Sequence, residues 1–394
     1  MASFKNQLGI NCKQILYRTA IIRYFKIKKT YLAVEKSTKM KTINAQKYTI
    51  HFEENNYNSL DKYLLNNTYS SLFILVDAHT KNKCLPIFLA KISPKFHFKT
   101  IVIPAGEDFK NLQTCEVVWK QLTELKADRN SILINIGGGM ITDLGGFVAA
   151  TFKRGIRFIN ISTSLLGMVD ASVGGKTGVD FNTLKNQIGL FANPELVLID
   201  KHYLNTLPQR ELISGMAEII KYGLSYDGNL WKTIKALPEI TNQHIATLIF
   251  RSIEIKNEVV TKDPKEQNLR KILNFGHTIG HAIETYFLQD NLKPTLTHGE
   301  AIAVGMICET YLSYKLFAFP EKELRFLKKY ILDLFGKISF TKNDFESILD
   351  VMQHDKKNTN GNIRFVLLQS IANHKLDCHV ETDLIFDALI FYLQ

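Results

Sequence analysis

The stretch Ile132–Gly155, ILINIGGGMITDLGGFVAATFKRG, runs an apolar segment into three consecutive glycines and then into apolar residues at helical spacing. A short apolar run closed by glycine reads as a buried strand, and the following segment as a helix packed back on it. Gly137, Gly138 and Gly139 stand at the joint. Lacking side chains, they let backbone N–H groups approach a phosphate, and the helix N-terminus adds a favourable dipole. The spacing is not GxGxxG, so the ordinary Rossmann fingerprint is absent and a plain glycine turn is the bland alternative.

Similar apolar runs lie on either side, at Leu72–Val76, Thr100–Ile103, Phe158–Ile161 and Leu196–Ile199, separated by enough chain for crossover helices. This alternation predicts an α/β domain with a largely parallel sheet. After about Leu207, apolar residues at helical spacing dominate, with one late run, Ile363–Leu368, that reads as a short strand or buried loop. The expected division is a basic extension over 1–40 outside the fold, an α/β domain over 41–206 and a mainly helical domain over 207–394.

Bulk properties narrow the function classes. The chain has 394 residues, 45% of them hydrophobic, and no apolar run of the ~18 residues that a membrane span requires. Five cysteines (Cys12, Cys84, Cys115, Cys308 and Cys378) form no CxxC pair, which argues for a reducing, cytoplasmic setting. The net charge of +11 is concentrated in residues 1–40, where nine Lys or Arg face the single acid Glu35. A nucleic-acid reading therefore rests on that extension alone, and an extension ahead of Met40 is the preferred account of it.

Three groups of residues carry chemistry. PAGEDFK (Pro104–Lys110) and VDAH (Val76–His79) follow strand-like runs, where an open α/β sheet binds ligands. In VDASVGGKTGVDF, Gly174-Gly175-Lys176-Thr177 resembles the end of a P-loop. The first glycine of that motif is replaced by Asp170, however, so a turn presenting Lys176 to another kind of phosphate is the better reading. In LNFGHTIGHAIE, His277 and His281 share a helix face; THGEA adds His298, and SGMAEIIK adds Glu218 with Lys221 one turn on. One carboxylate and two imidazoles suit a catalytic ion such as zinc, and the threonine after His277 removes the general base of HExxH proteases. The residues alone do not rank His277 against His281. Lys256, Arg270, Lys271, Glu266 and Asn274 surround them, a density of cations suited to a small, multiply anionic substrate.

From about Met40 onward the sequence resembles the 3-dehydroquinate synthase family. The resemblance is carried by PAGE..K, GGG..TDL.GFVA, FKRGI, TSLLGMVDASVGGKTGVD, LKNQIG, LP.RE..SGMAEIIK, LNFGHT.GHA.E and THGEA.A.GM in order. The resemblance implies an active site in the cleft between an NAD-binding α/β domain and a helical metal-binding domain, with metal ligands at Glu218, His277 and His298, leaving His281 near substrate. It implies NAD contacts at Asp77, Glu107, Lys110, Gly138, Gly139, Asp143, Thr163, Ser164 and Lys185. Substrate-side residues carried over in the same way are Asp170, Lys176, Asn186, Lys221, Lys256, Arg270, Asn274, His281, one lysine of the pair Lys356 and Lys357, and Arg154 from its own or a neighbouring subunit.

The implied reaction converts 3-deoxy-D-arabino-heptulosonate 7-phosphate to 3-dehydroquinate and phosphate, a lyase step of the shikimate pathway towards chorismate and the aromatic amino acids. It proceeds by transient NAD oxidation, phosphate elimination, re-reduction, ring opening and aldol closure. NAD, a zinc or cobalt ion and a homodimer are implied with it; neither nucleic acid nor membrane is expected as a partner. The rivals are another sugar-phosphate cyclase with the same cofactors and a glycerol-type metal alcohol dehydrogenase. Ser162-Thr163-Ser164 departs from the family's more usual PTT, and FLQDNLKP (Phe287–Pro294) is insertion-like and predicts a surface loop.

Overall fold

Buried β-branched and leucine side chains on both faces mark strands destined for the middle of a covered sheet. Leu72–Asp77 (β3) and Ile132–Gly137 (β5) are of this kind, every residue of β5 being buried. The structure, a computed structural model, describes residues 42–52, 55–182, 184–237, 242–290, 292–353 and 363–394, and Thr42–Gln394 form one unit.

With Ile43–Asn44 (β1), Thr49–Phe52 (β2), Phe98–Ile103 (β4), Arg157–Ser162 (β6) and Leu196–Ile199 (β9), they form a seven-stranded sheet in the order β1-β2-β9-β6-β5-β3-β4. All pairings are parallel except β1 with β2, as the alternation of runs predicts. The chain steps outward from β3 to β4, then returns to the other side of β3 for β5 and β6. That reversal opens a crevice at the carboxyl ends of β3 and β5, where α/β sheets take their ligands.

Two antiparallel pairs complete the β structure of the described residues. Lys176–Phe181 (β7) and Leu184–Phe191 (β8) form a hairpin, so the expected Gly-Gly-Lys loop is in fact a turn running straight into a strand. Gly174 and Gly175 turn the chain with φ of 103° and 68°, a region that disfavours side chains. The glycines and polar residues of KTGVDF hide the strand period, but Val179 packs into the core beneath the helix Gly139–Thr151. The late apolar run is strand Phe365–Ser370 (β10), paired with Asn373–Cys378 (β11).

The rest, from Gln209 on, is helical. Three helices position the chemistry: Gln209–Ser225, His277–Gln289 and His298–Phe317. The insertion-like segment begins inside the second of these and emerges at Leu292, which is 95% exposed. No helix among the described residues is long and apolar enough to cross a membrane.

Candidate active site

The histidines are placed by helix starts. His298 opens its helix behind a capping box in which Thr297 and Glu300 satisfy each other's backbone N–H groups, and Arg210 clamps Glu300 through two hydrogen bonds of 2.7 Å. Gly299 N–H donates to Ser214 Oγ at 3.0 Å, which docks this helix start on Gln209–Ser225. Glu218, four residues after Ser214, lies on the same helix face and so meets His298.

His277 opens its helix after Gly276, whose left-handed φ of 79° makes the turn. No side chain of its own segment caps that helix. The buried carboxylate of Glu309, on the His298 helix, accepts instead the N–H groups of Gly276 (2.7 Å), Thr278 (3.0 Å) and Ile279 (3.2 Å).

Glu218 Oε1 lies 3.5 Å from His277 Nε2 and 3.6 Å from His298 Nε2, and it has no hydrogen-bond partner although fully buried. Nδ1 of His277 is 3.0 Å from the carbonyl of Phe275. A carbonyl only accepts, so in the neutral ring the proton sits on Nδ1 and the lone pair of Nε2 is turned towards a carboxylate oxygen. Two acceptors facing across such a gap call for a cation between them. Tetrahedral donors about 2.1 Å from a zinc-like ion stand about 3.4 Å apart, so both separations from Glu218 Oε1 suit one.

His281 belongs to the same cluster: ligand atoms of His277, His281 and His298 lie within 4.8 Å of one another. Burial lowers the His298 imidazole, but Glu284 and Glu218 outweigh this and hold it at about 9.

The cationic side chains form four further groups. Lys221, 1% exposed, pairs with Glu218 Oε2. Asp170 Oδ1 pairs with Lys256 at 2.9 Å and accepts from Tyr222 OH at 2.5 Å. Burial raises the Asp170 carboxyl, but Lys256 and Lys221 bring it well below the usual range. Asp170 sits where the backbone widens to π-helical bonding over Gly167–Ala171, a deviation common at functional sites.

Arg270 is buried and donates from Nη1 to Pro264 O (2.8 Å) and from Nη2 to Gly174 O (3.1 Å). Lys176, half exposed, pairs with Glu266, which also accepts from Asn274 Nδ2 at 2.7 Å.

A fifth group lies along the sheet edge. Asp77 ends β3 and caps the next helix, accepting from His79 N (2.8 Å) and Thr80 N (2.7 Å). Gly138 and Gly139 begin the helix after β5; Thr163 follows β6 and donates its N–H to Gly137 O at 2.9 Å. Ser164 Oγ accepts from Gly167 N at 3.1 Å. Lys110 Nζ, buried, meets Asp143 Oδ2 at 2.7 Å and Asn186 Oδ1 at 2.8 Å. Burial disfavours the charged lysine, yet Asp143 and Glu107 raise it above its ordinary value. Asn186, expected on the substrate side, thus sits with Lys110. Lys185 bridges Glu107 (3.3 Å) and Glu284 (2.9 Å), joining this edge to the histidine cluster.

One expected residue stands apart and another lies outside the described residues. Arg154 is exposed beyond the far end of the 13-residue helix that starts at the glycine turn, about 20 Å away, and makes no ion pair or hydrogen bond among the described residues. Lys356 lies outside the described residues. Conversely, Glu284, Glu309 and Tyr222 were not singled out by sequence reasoning. Glu284 offered a signal, since it closes the motif LNFGHT.GHA.E two turns after His277 on the same helix face.

The chain thus joins a parallel-sheet half with a glycine turn to a helical half with a carboxylate–histidine centre. The structure of 2-deoxy-scyllo-inosose synthase complexed with carbaglucose-6-phosphate, NAD+ and Co2+ superposes with a TM-score of 0.76 at 24% identity, covering 89% of this chain and 99% of that one. That of 2-epi-5-epi-valiolone synthase from Streptomyces hygroscopicus subsp. jinggangensis, with NAD+ and Zn2+ bound, gives 0.75 at 23% identity, covering 90% and 99%. At these identities the likeness shows the fold.

Sequence comparison identifies the family. Residues 100–214 match the family model for the 3-dehydroquinate synthase N-terminal region and 215–358 the one for the C-terminal region. The 3-dehydroquinate synthase of Parabacteroides distasonis is 42% identical over 339 residues, 85% of this chain and 95% of that one. The chain belongs to the 3-dehydroquinate synthase family.

Proposed function

We propose that this chain is an NAD- and metal-dependent lyase that converts 3-deoxy-D-arabino-heptulosonate 7-phosphate to 3-dehydroquinate and phosphate. Family membership supports the activity. The observation that carries the reading of the site is the orphaned Glu218 Oε1 facing two imidazole nitrogens, with Lys221 paired to the other oxygen.

In this reading the sheet half, 41–206, serves the dinucleotide, and the helical half, 207–394, holds metal and substrate. Glu218, His277 and His298 hold a zinc or cobalt ion, whose donor set of nitrogen and oxygen suits either. Asp77, Glu107, Lys110, Gly138, Gly139, Asp143, Thr163, Ser164 and Lys185 hold NAD. When bound, NAD takes up and returns a hydride and the ion polarises a neighbouring substrate oxygen.

The chain's own groups bind and orient. Arg270 keeps the remaining donors of its fork for a substrate carboxylate, with Lys256 beside it. Lys176, Asn274 and His281 offer donors to the oxygens of a departing phosphate, with one lysine of Lys356 and Lys357. Asn186, tied to Lys110, borders both cofactor and substrate. Asp170 holds Lys256 in place, and Lys221 neutralises the second oxygen of Glu218. The enzyme acts in the cytoplasm as a homodimer in which Arg154 serves the partner's site.

The test is incubation of the purified chain with heptulosonate 7-phosphate, NAD and zinc. The expected products are phosphate and dehydroquinate in equal amounts with no net NADH. Absence of phosphate release would refute the reading, and stoichiometric NADH would turn it towards an alcohol dehydrogenase.

A further inference from the structure

Glu284 is 5% exposed and divides its two oxygens between the halves of the molecule. Oε1 accepts from Lys185 Nζ of the β7–β8 hairpin at 2.9 Å; Oε2 lies 3.1 Å from Nδ1 of His298, whose Nε2 faces Glu218. With an ammonium on one oxygen, the carboxylate is ionised and only accepts. It thereby keeps a proton on Nδ1 of His298 and leaves Nε2 as the nitrogen free to bind an ion, the arrangement by which carboxylates orient metal-binding imidazoles. Lys185 also reaches Glu107 at 3.3 Å, so one lysine ties the loop after β4 and the hairpin to the helix of His277.

We propose that Glu284 is a positioning residue that orients His298 and couples it, through Lys185, to the dinucleotide side of the cleft, so that metal and NAD each favour the binding of the other. The proposal rests on the reading of Glu218, His277 and His298 as the metal site and of Lys185 as a cofactor contact. Either ligand orders the shared carboxylate, and the second then binds without repeating that ordering cost. Such coupling is reciprocal by thermodynamic necessity.

The experiment measures the zinc dissociation constant of the full chain by competition with a chromogenic chelator, with and without NAD, alongside the absorption spectrum of the Co2+-loaded form. In the native chain zinc binds more tightly when NAD is present. Glu284→Gln weakens zinc by about tenfold or more, shifts the Co2+ bands and abolishes the NAD effect. Lys185→Ala weakens zinc less but also abolishes the NAD effect. Native zinc affinity with an intact NAD effect in Glu284→Gln overturns the proposal. Should that variant fail to fold, an intact NAD effect in Lys185→Ala overturns it instead. Zinc retained at native affinity in Glu218→Ala would remove the metal reading itself, whereas its loss there together with native behaviour of Glu284→Gln rejects the coupling alone.

Discussion

Glu218 shows how much of this site depends on single atoms. One oxygen is neutralised by Lys221, and the other faces two imidazole nitrogens with no hydrogen bond. Glu218→Ala, His277→Ala and His298→Ala should each lower bound metal by well over the roughly 10–100-fold typical of losing a mere orienting partner, as measured by metal analysis after dialysis. Lys176 pairs with Glu266 on the other side of the cleft and is half exposed. Lys176→Ala should therefore leave metal content unchanged while reducing turnover by about tenfold or more, through loss of a charged contact to the leaving phosphate. Equal metal loss in the Lys176 variant would merge two groups that are separate here.

At the scale of elements, the start of the His277 helix is capped from a neighbouring helix. Glu309→Ala leaves three buried N–H groups without their acceptor and should cost about 3 kcal/mol in urea unfolding. Glu309→Gln, which keeps an acceptor oxygen, should lose less. A different carboxylate caps the helix Gly228–Ala236: Asp227 accepts from Asn229 N at 2.9 Å and pairs with Arg251 at 2.7 Å. Burial raises the Asp227 carboxyl, but the Arg251 guanidinium overcomes this and holds it low. A carboxyl whose folded value is depressed contributes stability above the unfolded value, near 4, and loses that contribution as pH falls through the folded value. The stability difference between the native chain and Asp227→Ala, about 1 kcal/mol because the pair is partly exposed, should be present at neutral pH and vanish in strong acid. A difference that persists unchanged there would assign the effect to packing.

For the whole molecule, Arg154 is exposed and lies a helix length from the glycine turn of its own chain, and the proposed homodimer has it serve the partner's site. Mixing Arg154→Ala and His277→Ala chains, each inactive alone, should restore about a quarter of native turnover after subunit exchange, since each mixed dimer rebuilds one complete site. No recovery would place Arg154 in the site of its own chain or the chain outside a dimer. Runs such as LFILV and ILINI, with the glycines after the second, declared the parallel sheet, because strand burial and helix periodicity are local properties of the chain. The residue types of the site were legible for the same reason: a histidine pair four apart and a Gly-Gly-Lys turn need no distant partner to be noticed. The β7–β8 hairpin was not legible, because KTGVDF has no clean alternation and becomes a strand through its partner and the helix above it. Nor were the pairings Lys185 with Glu284, Tyr222 with Asp170, and Glu309 with the turn at Gly276. These partners are far apart in sequence, and only the packing of the helical half against the sheet edge decides which carboxylate each buried donor meets.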